Sequence, residues 1–589
     1  MLEQQTNDFK AVSSVVLAET ATIRALLNCY FREMRITDPR VNKSGEGNPQ
    51  SGQGEMLVIS FPSIGKTITG ALTYYSRIGQ HAYGDIFHES VRGGSLRQIN
   101  MYELLELLLE ELSRLQNCDK TGAHRNMMKV RIDNSLQKMS QYIERYVSNK
   151  QTAADKKLDF IHSEQTLYYG HPFHPYPKSS EGFASGDLEK YSPEMGASFQ
   201  LHYFAIRKEY VHEEWLDGED QALPPSVLAF AGEKLGQLGQ NPLDFALLPM
   251  HPWQVNYVIR KPEVQALMKQ SAIINLGAAG PVVYPTSSVR TVWDPAGGYG
   301  YKLPLHVRIT NLVRENTPEQ SARSLDAARV IHRVKHELNS DQFKIISETG
   351  CSKVRFDSDS DDWSSSFTVI YRPIVVPDAS TFVVASLLES FPGEEEPKLI
   401  QAIRQSDQGR LPDLYNWLAC YLRISMLPLL RILAEKGISF EAHLQNSLLS
   451  IKNGLPDCYY VRDLEGVSID RNKAAETGWI NTLIGDQSPV LYEDSEAWLR
   501  TKYYFFVNHL GSLIHTVASY RKEDEEGYWG IVRNMLKEEK LKADERLRAY
   551  IDDLLLSDDL PAKANFTSCF QWRGETPSFV PIPNPLREG

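Results

Sequence analysis

The chain has 589 residues, of which 42% are hydrophobic, 10% aromatic and 23% charged, and its formal net charge is −12 at pH 7. This composition excludes a long disordered chain, and the acidic balance argues against a nucleic-acid partner. No apolar run approaches the roughly 18 residues that span a bilayer, and the first residues do not form a secretory signal. We therefore expect no membrane partner and a cytoplasmic location.

Residues 1–155 are predicted to form a small, thumb-like lobe with a structural role. The predicted helices and strands of this lobe cover residues 15–33, 56–61, 66–75, 102–115 and 127–147. The segments 56–61 and 66–75 show the pattern of an antiparallel hairpin, and the other three show the apolar periodicity of helices.

The rest of the chain divides into two further sections. Residues 156–388 hold most of the proline-containing motifs and several strand patterns, whereas residues 389–589 are mainly helical around one hairpin. A long apolar helix over residues 415–436 is expected to break at Pro428. Further helices are predicted over residues 493–521 and 544–556. Because helices and mostly antiparallel strands come in separate runs, the sequence predicts an α+β fold in several lobes.

A proline-rich segment over residues 170–178 is the first candidate functional motif. Its prolines at positions 172, 175 and 177 fix the backbone and remove three hydrogen-bond donors, which favours an extended, rigid path. Such a loop suits a site that holds His171, His174 and Lys178 toward one ligand. A structural, proline-rich connection is the alternative interpretation.

Residues 301–310 show the alternation of a strand with one cationic face. Four side chains share that face, namely Lys302, His306, Arg308 and Thr310. Pro304 should make the strand an edge or bulged strand, which leaves the face partly open.

The strand before it would extend this cationic face. Ser288 and Arg290 lie on one face of that strand, and the turn at 294–300 should bring Arg290 next to Lys302. Arg314 follows closely in the sequence. In an acidic protein such a cluster suits anionic ligands. The alternative is a solvated strand face with scattered basic residues.

A hairpin in the last section is predicted to carry a metal site. Asn453-Gly454 is a strong turn signal, so the two strands should place Asn446 beside Asp463. An amide oxygen and a carboxylate suit Mg²⁺, with water and phosphate as further ligands. Protein kinases arrange an Asn and an Asp in a similar way, but their Gly-rich and H-R-D motifs are absent from this sequence. A purely structural hairpin is the alternative.

Together these segments supply cations for phosphate, a metal pair for the same phosphates and a second anion pocket beside them. Adenylation of a carboxylate requires this combination. The charge of the α-phosphate must be offset, the acid must be held for attack, and pyrophosphate must leave.

The motifs resemble those of a known enzyme family. They read H-P-x-H-P-x-x-K, H-P-W-Q, S-x-R-T, K-L-x-x-x-x-R-I-T-N-x-x-R, E-A-H-x-Q-N and R-D-L-E-G, in order over about residues 160–470. They resemble the siderophore synthetases that work independently of non-ribosomal peptide synthetases, the aerobactin-synthetase-like family. The resemblance implies a cupped hand with thumb, fingers and palm at 1–155, 156–388 and 389–589, and a kinase-like metal hairpin in the palm.

The resemblance also implies an activity and a partner. ATP and Mg²⁺ would serve to form an acyl-adenylate, which a small amine or alcohol attacks, and a homodimer is expected. Within the family, R-D-L-E-G at residues 462–466 looks like the branch that desymmetrises citrate, which includes achromobactin synthetase. One departure is Ser180, where the family commonly has Arg.

Residue roles follow from the same resemblance. The implied ATP-binding residues are His171, Lys178, Lys302, Thr310, Arg314, Gln445, Asn446 and Asp463. The implied metal ligands are Glu441, Asn446 and Asp463. The implied carboxylic-acid pocket comprises Ser288, Arg290, Thr310, His443 and Gln445. The residues expected to act in catalysis are His443, Arg290 and Lys302.

The sequence therefore predicts a ligase that adenylates a primary carboxylate of citrate and condenses it with an amine or hydroxyl. Three alternatives stay open. They are a late-acting synthetase that uses a citrate half-amide, a kinase-like phosphotransferase, and a citrate- or nucleotide-binding protein without catalytic activity.

Overall fold

A computed structural model describes residues 13–40, 55–90, 95–117, 121–149, 157–219, 223–355, 361–374 and 380–588. In the N-terminal section, helices Ser14–Glu33, Met101–Gln116 and Ala123–Ser148 accompany an antiparallel sheet. Its strands are β1 Glu55–Phe61, β2 Lys66–Tyr74, β3 Ala82–Tyr83, β4 Phe87–Ser90 and β5 Leu96–Ile99. The predicted helices and hairpin of this section are confirmed, with ends shifted by a few residues.

The middle section is built on an eight-stranded antiparallel sheet of order β8-β16-β17-β12-β11-β10-β7-β9, beside a three-stranded sheet β14-β13-β6. The strands of this section are β6 Ser180–Glu181, β7 Phe199–Arg207, β8 Val211–Trp215, β9 Phe245–Met250, β10 Ile273–Pro285, β11 Thr291–Asp294, β12 Tyr299–Lys302, β13 Leu305–Ile309, β14 Leu312–Arg314, β15 Phe343–Ile346, β16 Gly350–Val354, β17 Val369–Pro373 and β18 Thr381–Val383. The helices are Phe160–Gln165, Ser185–Tyr191, Pro225–Gln237, Pro252–Val258, Pro262–Lys269, Pro318–Leu338 and Val384–Leu387.

The prediction of one strand over residues 301–310 is wrong. The structure divides it at Pro304 into β12 and β13, which belong to different sheets, because proline has no N–H to continue the ladder. The alternation of side chains between two faces therefore does not continue from β12 into β13. The His306 ring stacks on Tyr257 with 4.1 Å between ring centroids, and Arg308 lies beside Glu181.

The C-terminal section is mainly helical. Its helices are Lys398–Ser406, Leu414–Ile424, Met426–Lys436, Arg471–Glu476, Asp494–Thr501, a π-helix Lys502–Leu510, Gly511–Arg521, Glu526–Lys540, Glu545–Leu556 and Asn565–Phe570. Its strands are β19 Ile438–Ser439, β20 Ser447–Lys452, β21 Leu455–Arg462, β22 Ser468–Asp470, β23 Leu491–Tyr492, β24 Asp559–Lys563 and β25 Phe579–Pro583. The sheet β15-β21-β20-β18 contains the predicted hairpin, and its β15–β21 pair is parallel.

The long apolar helix breaks at Ser425, not at Pro428. A proline conflicts with the carbonyl four residues earlier, so the first helix ends at Ile424 and Pro428 falls in the first turn of the next helix. Among the described residues, the stretch Leu414–Lys436 is long and apolar enough to cross a membrane. However, 67% of its most apolar window is buried inside the protein, as in a core helix.

One continuous apolar core joins the first and last sections of the chain. It contains Leu27 and Phe31 of the first helix together with Trp417 and Tyr421. The eight-stranded sheet packs separate apolar clusters on its faces, one of them around Tyr301. The division into three lobes at residues 155 and 388 stays a prediction.

Buried histidines make the stability of the fold sensitive to acid. Burial lowers the pKa of His81, His174, His251 and His509 to about 3. Below pH 6.5 the unfolded chain binds protons at these sites that the folded chain does not, so stability falls with falling pH. Burial raises the pKa of Glu33 to about 7. The folded chain therefore binds one proton at Glu33 that the unfolded chain does not, which offsets part of this loss of stability. We expect a net loss of about 4 kcal/mol per pH unit between pH 6 and 5.

Urea unfolding at pH 7, 6 and 5 measures this effect. The free energy of unfolding should decrease at each step. A constant or increasing value would show that these histidines are protonated in the folded protein.

Candidate active site

A central cavity of about 680 Å³ lies where residues 286–314, which include β11 to β14, meet the hairpin β20–β21. The twelve side chains to which the family resemblance gives a role line this one cavity, whereas His306 and Arg308 of the predicted cationic face do not. The twelve are His171, Lys178, Ser288, Arg290, Lys302, Thr310, Arg314, Glu441, His443, Gln445, Asn446 and Asp463. The structure therefore brings together residues that are up to 292 positions apart in the sequence.

The hairpin turns at Asn453-Gly454 as predicted, and a β-bulge between Ser450 and Ile451 shifts the register of its strands by one residue. Ser447 pairs with Val461, so Asn446 and Asp463 follow at the same end of the two strands. Asp463 has a left-handed backbone with φ of 71°, which turns the chain out of β21. Its carboxylate thereby faces the strand that carries Lys302.

Lys302 joins the sheet to the hairpin. Its ammonium donates to Asp463 Oδ1 at 2.7 Å and to Glu465 Oε2 at 2.8 Å, although it is almost fully buried. Arg372 Nη2 lies 3.4 Å from the same Asp463 oxygen. Burial alone would raise the pKa of Asp463, but Lys302 and Arg372 outweigh burial and hold this pKa far below its usual range. Asp463 is therefore a carboxylate throughout the physiological range.

Arg290 is placed beside Lys302 by the antiparallel pair β11–β12. Thr291 pairs with Lys302, as the short turn predicts. The Arg290 guanidinium donates to the Glu315 carbonyl and to Asn316 Oδ1, both at 2.8 Å. Its Nη2 lies 3.7 Å from Glu465 Oε2, so two neighbouring cations share one acidic group.

Three histidines of the cavity accept hydrogen bonds from the backbone of the turns that they begin. In His171, His174 and His443, the ring Nδ1 accepts the backbone N–H two residues later in the chain. In the two His-Pro pairs the intervening proline has no N–H to compete. Burial lowers the pKa of each of these three rings, so they are neutral near pH 7. In His443, where Nδ1 is an acceptor, the ring proton is assigned to Nε2.

His171 and Lys178 have protein partners within the cavity wall. His171 Nε2 lies 2.8 Å from the Asn508 amide, so both of its ring nitrogens are in use and its ring face remains for a ligand. The Lys178 ammonium donates to Glu194 Oε1 at 2.7 Å. A phosphate at this end would have to share Lys178 with Glu194.

Ser180 has a cation directly behind it. Lys138, from the helix Ala123–Ser148, donates to both the carbonyl and the hydroxyl oxygen of Ser180. Burial lowers the pKa of Lys138 to about 8. Where the family commonly has Arg, this chain therefore has Ser180 in contact with Lys138. No motif in the sequence indicates Lys138.

A second polar cluster surrounds Glu441. Arg500 Nη2 lies 3.9 Å from Glu441 Oε2, and His443 Nε2 lies 4.0 Å from Oε1. Lys563 donates to the Tyr504 hydroxyl at 2.8 Å. Gly466 allows Glu441 to pack here, because a Cβ at Gly466 would lie only 2.0 Å from the Glu441 carboxylate.

The π-helix Lys502–Leu510 supports three of these elements at once. Its Tyr504 ring lies beside His443, its Asn508 contacts His171, and its His509 lies 3.0 Å from the Ala442 carbonyl. Wider π-helical turns are common at functional sites. The sequence predicts a helix here but not the altered register, so these contacts were missed.

The remaining predicted residues fix the cavity wall. Gln445 donates to Ser287 Oγ at 3.3 Å, and the Ser288 hydroxyl accepts the Thr291 N–H at 3.1 Å. Burial, and the nearby Arg290, lower the pKa of Arg314 to about 10. Thr310 has a left-handed backbone with φ of 55°.

The donor set suits a magnesium ion that also has phosphate ligands. The described residues contain no group of three or more His, Cys, Asp or Glu that could hold a metal alone. Asp463, Glu441 and the Asn446 amide line the same cavity, and Asn446 is oriented by its bond to the Glu441 carbonyl at 3.1 Å. Mg²⁺ commonly binds one or two carboxylates together with substrate phosphates and water, which matches this set.

Comparison with known proteins identifies the family. The IucA / IucC family model matches residues 159–389. The L-2,3-diaminopropanoate–citrate ligase of Staphylococcus aureus is 35% identical over 97% of this chain and 96% of its own length. The chain therefore belongs to the IucA / IucC family, the aerobactin-synthetase-like siderophore synthetases, as its motifs predict.

Two further matches agree with this assignment. The spermidine-citrate ligase of Bacillus anthracis is 25% identical over 94% of both chains. The structure of ATP-bound aerobactin synthetase IucA from Klebsiella pneumoniae superposes with a TM-score of 0.81 at 22% identity, covering 98% of this chain and 100% of the other. The mixed α/β fold with antiparallel sheets is thus that of these synthetases.

A second family model, for ferric iron reductase FhuF-like transporters, matches residues 416–578. This match covers the C-terminal section with the hairpin β20–β21 and the π-helix. The cysteines of this chain within the matched range are Cys420, Cys458 and Cys569, and they are far apart in the sequence.

Proposed function

We propose that this protein is a siderophore-biosynthesis ligase that adenylates a primary carboxylate of citrate with ATP and Mg²⁺. It then condenses the acyl group with a small amine or hydroxyl nucleophile. The observation that carries the proposal is the bridge from Lys302 to Asp463 and Glu465, which joins β12 to the end of the hairpin β20–β21 in one cavity.

Activation needs the two substrates side by side. A citrate carboxylate oxygen forms a bond to the α-phosphorus of ATP, and the bond to pyrophosphate breaks. Lys302, Arg314 and, at the far end, Lys178 supply positive charge for the phosphates. Magnesium, held by Asp463 with Asn446 and Glu441, would offset charge on the same phosphates.

The acid has two candidate contacts in this cavity. Arg290 and Ser288 in the turn before β11, with Thr310 and Gln445, would form the pocket that the motifs predict. Arg500, which lies near Glu441 and also lines the cavity, adds a second cation. A tricarboxylate is large enough to contact cations at more than one point.

His443 suits the role of a hydrogen-bond donor. Because its Nδ1 accepts two backbone N–H groups, its neutral ring carries the proton on Nε2. We propose that Nε2–H binds a carboxylate oxygen during activation and stabilises the oxyanion when the nucleophile attacks the acyl carbon. Glu441, 4.0 Å away, is then positioned to accept the proton that the amine loses.

Relatives named for citrate ligation support citrate as the acid. The named diaminopropanoate and spermidine ligases favour an amine as the nucleophile. The citrate-desymmetrising branch is our choice from the 462–466 motif, with a citrate half-amide as the alternative acid. The homodimer stays a prediction.

Product analysis tests the proposal against a phosphotransferase. Purified protein with ATP, Mg²⁺, citrate and a panel of amines should release AMP and pyrophosphate in equal amounts, and only when citrate is present. Release of ADP would indicate the kinase-like alternative. Turnover with a citrate half-amide alone would indicate the late-acting alternative.

A further inference from the structure

Two β-branched residues of the cavity wall have a left-handed backbone. Among the described residues, eleven non-glycine residues have a positive φ, and the β-branched ones are Val289, with φ of 68°, and Thr310. β-Branched side chains disfavour this conformation strongly. Both of these residues line the central cavity.

Packing in the core does not explain Val289. Its side chain is only partly buried and belongs to none of the apolar clusters of the described residues. It faces a cavity whose wall is mostly polar and charged. The strain at this position is therefore not offset by burial in an apolar core.

The turn that contains Val289 is held from several sides. Val289 N–H donates to the Thr286 carbonyl and Arg290 N–H to the Ser288 carbonyl, both at 2.8 Å. The Ser288 hydroxyl accepts the Thr291 N–H. The Ser287 N–H and hydroxyl donate to Glu164 at 3.0 and 2.7 Å.

Glu164 is itself buried and paired with Arg462, the last residue of β21. The strained turn is thus linked to the metal hairpin through two charged groups. Strained residues persist where the surroundings over-determine them, and such sites are often functional.

We propose that Val289 is a positioning residue for the acid substrate. Its left-handed backbone fixes the turn so that the Ser288 hydroxyl and the Arg290 guanidinium are held in one arrangement toward a carboxylate. This inference rests on the proposed function, since it assigns the turn to that reaction.

Val289→Gly tests this role. Glycine adopts the same backbone without strain but frees the turn. We expect an unchanged or higher melting temperature, a KM for citrate raised on the order of tenfold, and a KM for ATP within about twofold of wild type. Asparagine tolerates a positive φ but restricts the backbone more than glycine does. The KM of Val289→Asn for citrate should therefore be much closer to that of the wild type.

Ser271→Gly is the matched control, because Ser271 has φ of 56° but does not line the cavity. It should leave both KM values unchanged. An unchanged KM for citrate in Val289→Gly, or an equal rise for ATP and citrate, would overturn the inference. If the wild-type protein releases no citrate-dependent pyrophosphate, the proposed function fails instead, and the two failures are distinguishable.

Discussion

Asp463→Ala is expected to reduce citrate-dependent pyrophosphate release on the order of a thousandfold. The change removes the carboxylate that faces Lys302, lies at the end of the hairpin β20–β21 and is proposed to hold magnesium. Lys302 retains Glu465 and Arg372 retains Glu348 as partners, so the fold should persist. Pyrophosphate release measures the effect, and circular dichroism with a thermal scan verifies the fold.

Asp457→Ala is a matched control for this variant, since Asp457 is an exposed carboxylate on β21 of the same hairpin. It should retain wild-type activity. Asp463→Asn should be nearly as inactive as Asp463→Ala, because the amide keeps the shape but loses the charge. Wild-type activity in a folded Asp463→Ala protein would remove Asp463 from the metal site.

Arg290→Ala is expected to raise the KM for citrate by about tenfold to a hundredfold, with a smaller change in the KM for ATP. The guanidinium can bind a carboxylate through two parallel hydrogen bonds. Loss of a hydrogen bond to a charged group costs roughly 1.5–3 kcal/mol, which corresponds to the stated rise in KM. Arg290→Lys should recover only part of the loss, because an ammonium cannot reproduce the planar fork. Initial rates at varied citrate and varied ATP separate the two constants.

Arg329→Ala serves as the control for Arg290, because Arg329 pairs with Glu214 away from the cavity. An equal rise in both KM values for Arg290→Ala would contradict an acid-binding role. It would indicate that Arg290 mainly orients Glu465 and the phosphate side of the cavity.

Local signals allowed part of the site to be predicted from the sequence. The Asn453-Gly454 turn pairs Lys452 with Leu455, so Asn446 and Asp463 follow at the same end of β20 and β21, although a β-bulge between Ser450 and Ile451 shifts the register by one residue. The short turn after β11 likewise fixes Arg290 beside Lys302. In both cases the distance in sequence is small and the geometry of the turn determines the pairing.

Other parts depend on contacts that no local pattern encodes. Arg372 reaches Asp463 only because β17 pairs with β12, which places it opposite Gly300. Lys138 comes from a helix in the first section, and Tyr504 depends on the π-helical register. The alternation over residues 301–310 failed because it ignored that Pro304 ends one ladder and the chain then joins another sheet.

The most direct test of the account is a pyrophosphate-exchange experiment on the wild-type protein. Incubated with ATP, Mg²⁺ and labelled pyrophosphate, it should transfer the label into ATP only when citrate is added, without any amine present. This result would show that the protein forms an acyl-adenylate from ATP and citrate before any amine reacts. Exchange that does not depend on citrate, or citrate-dependent formation of ADP, would contradict it.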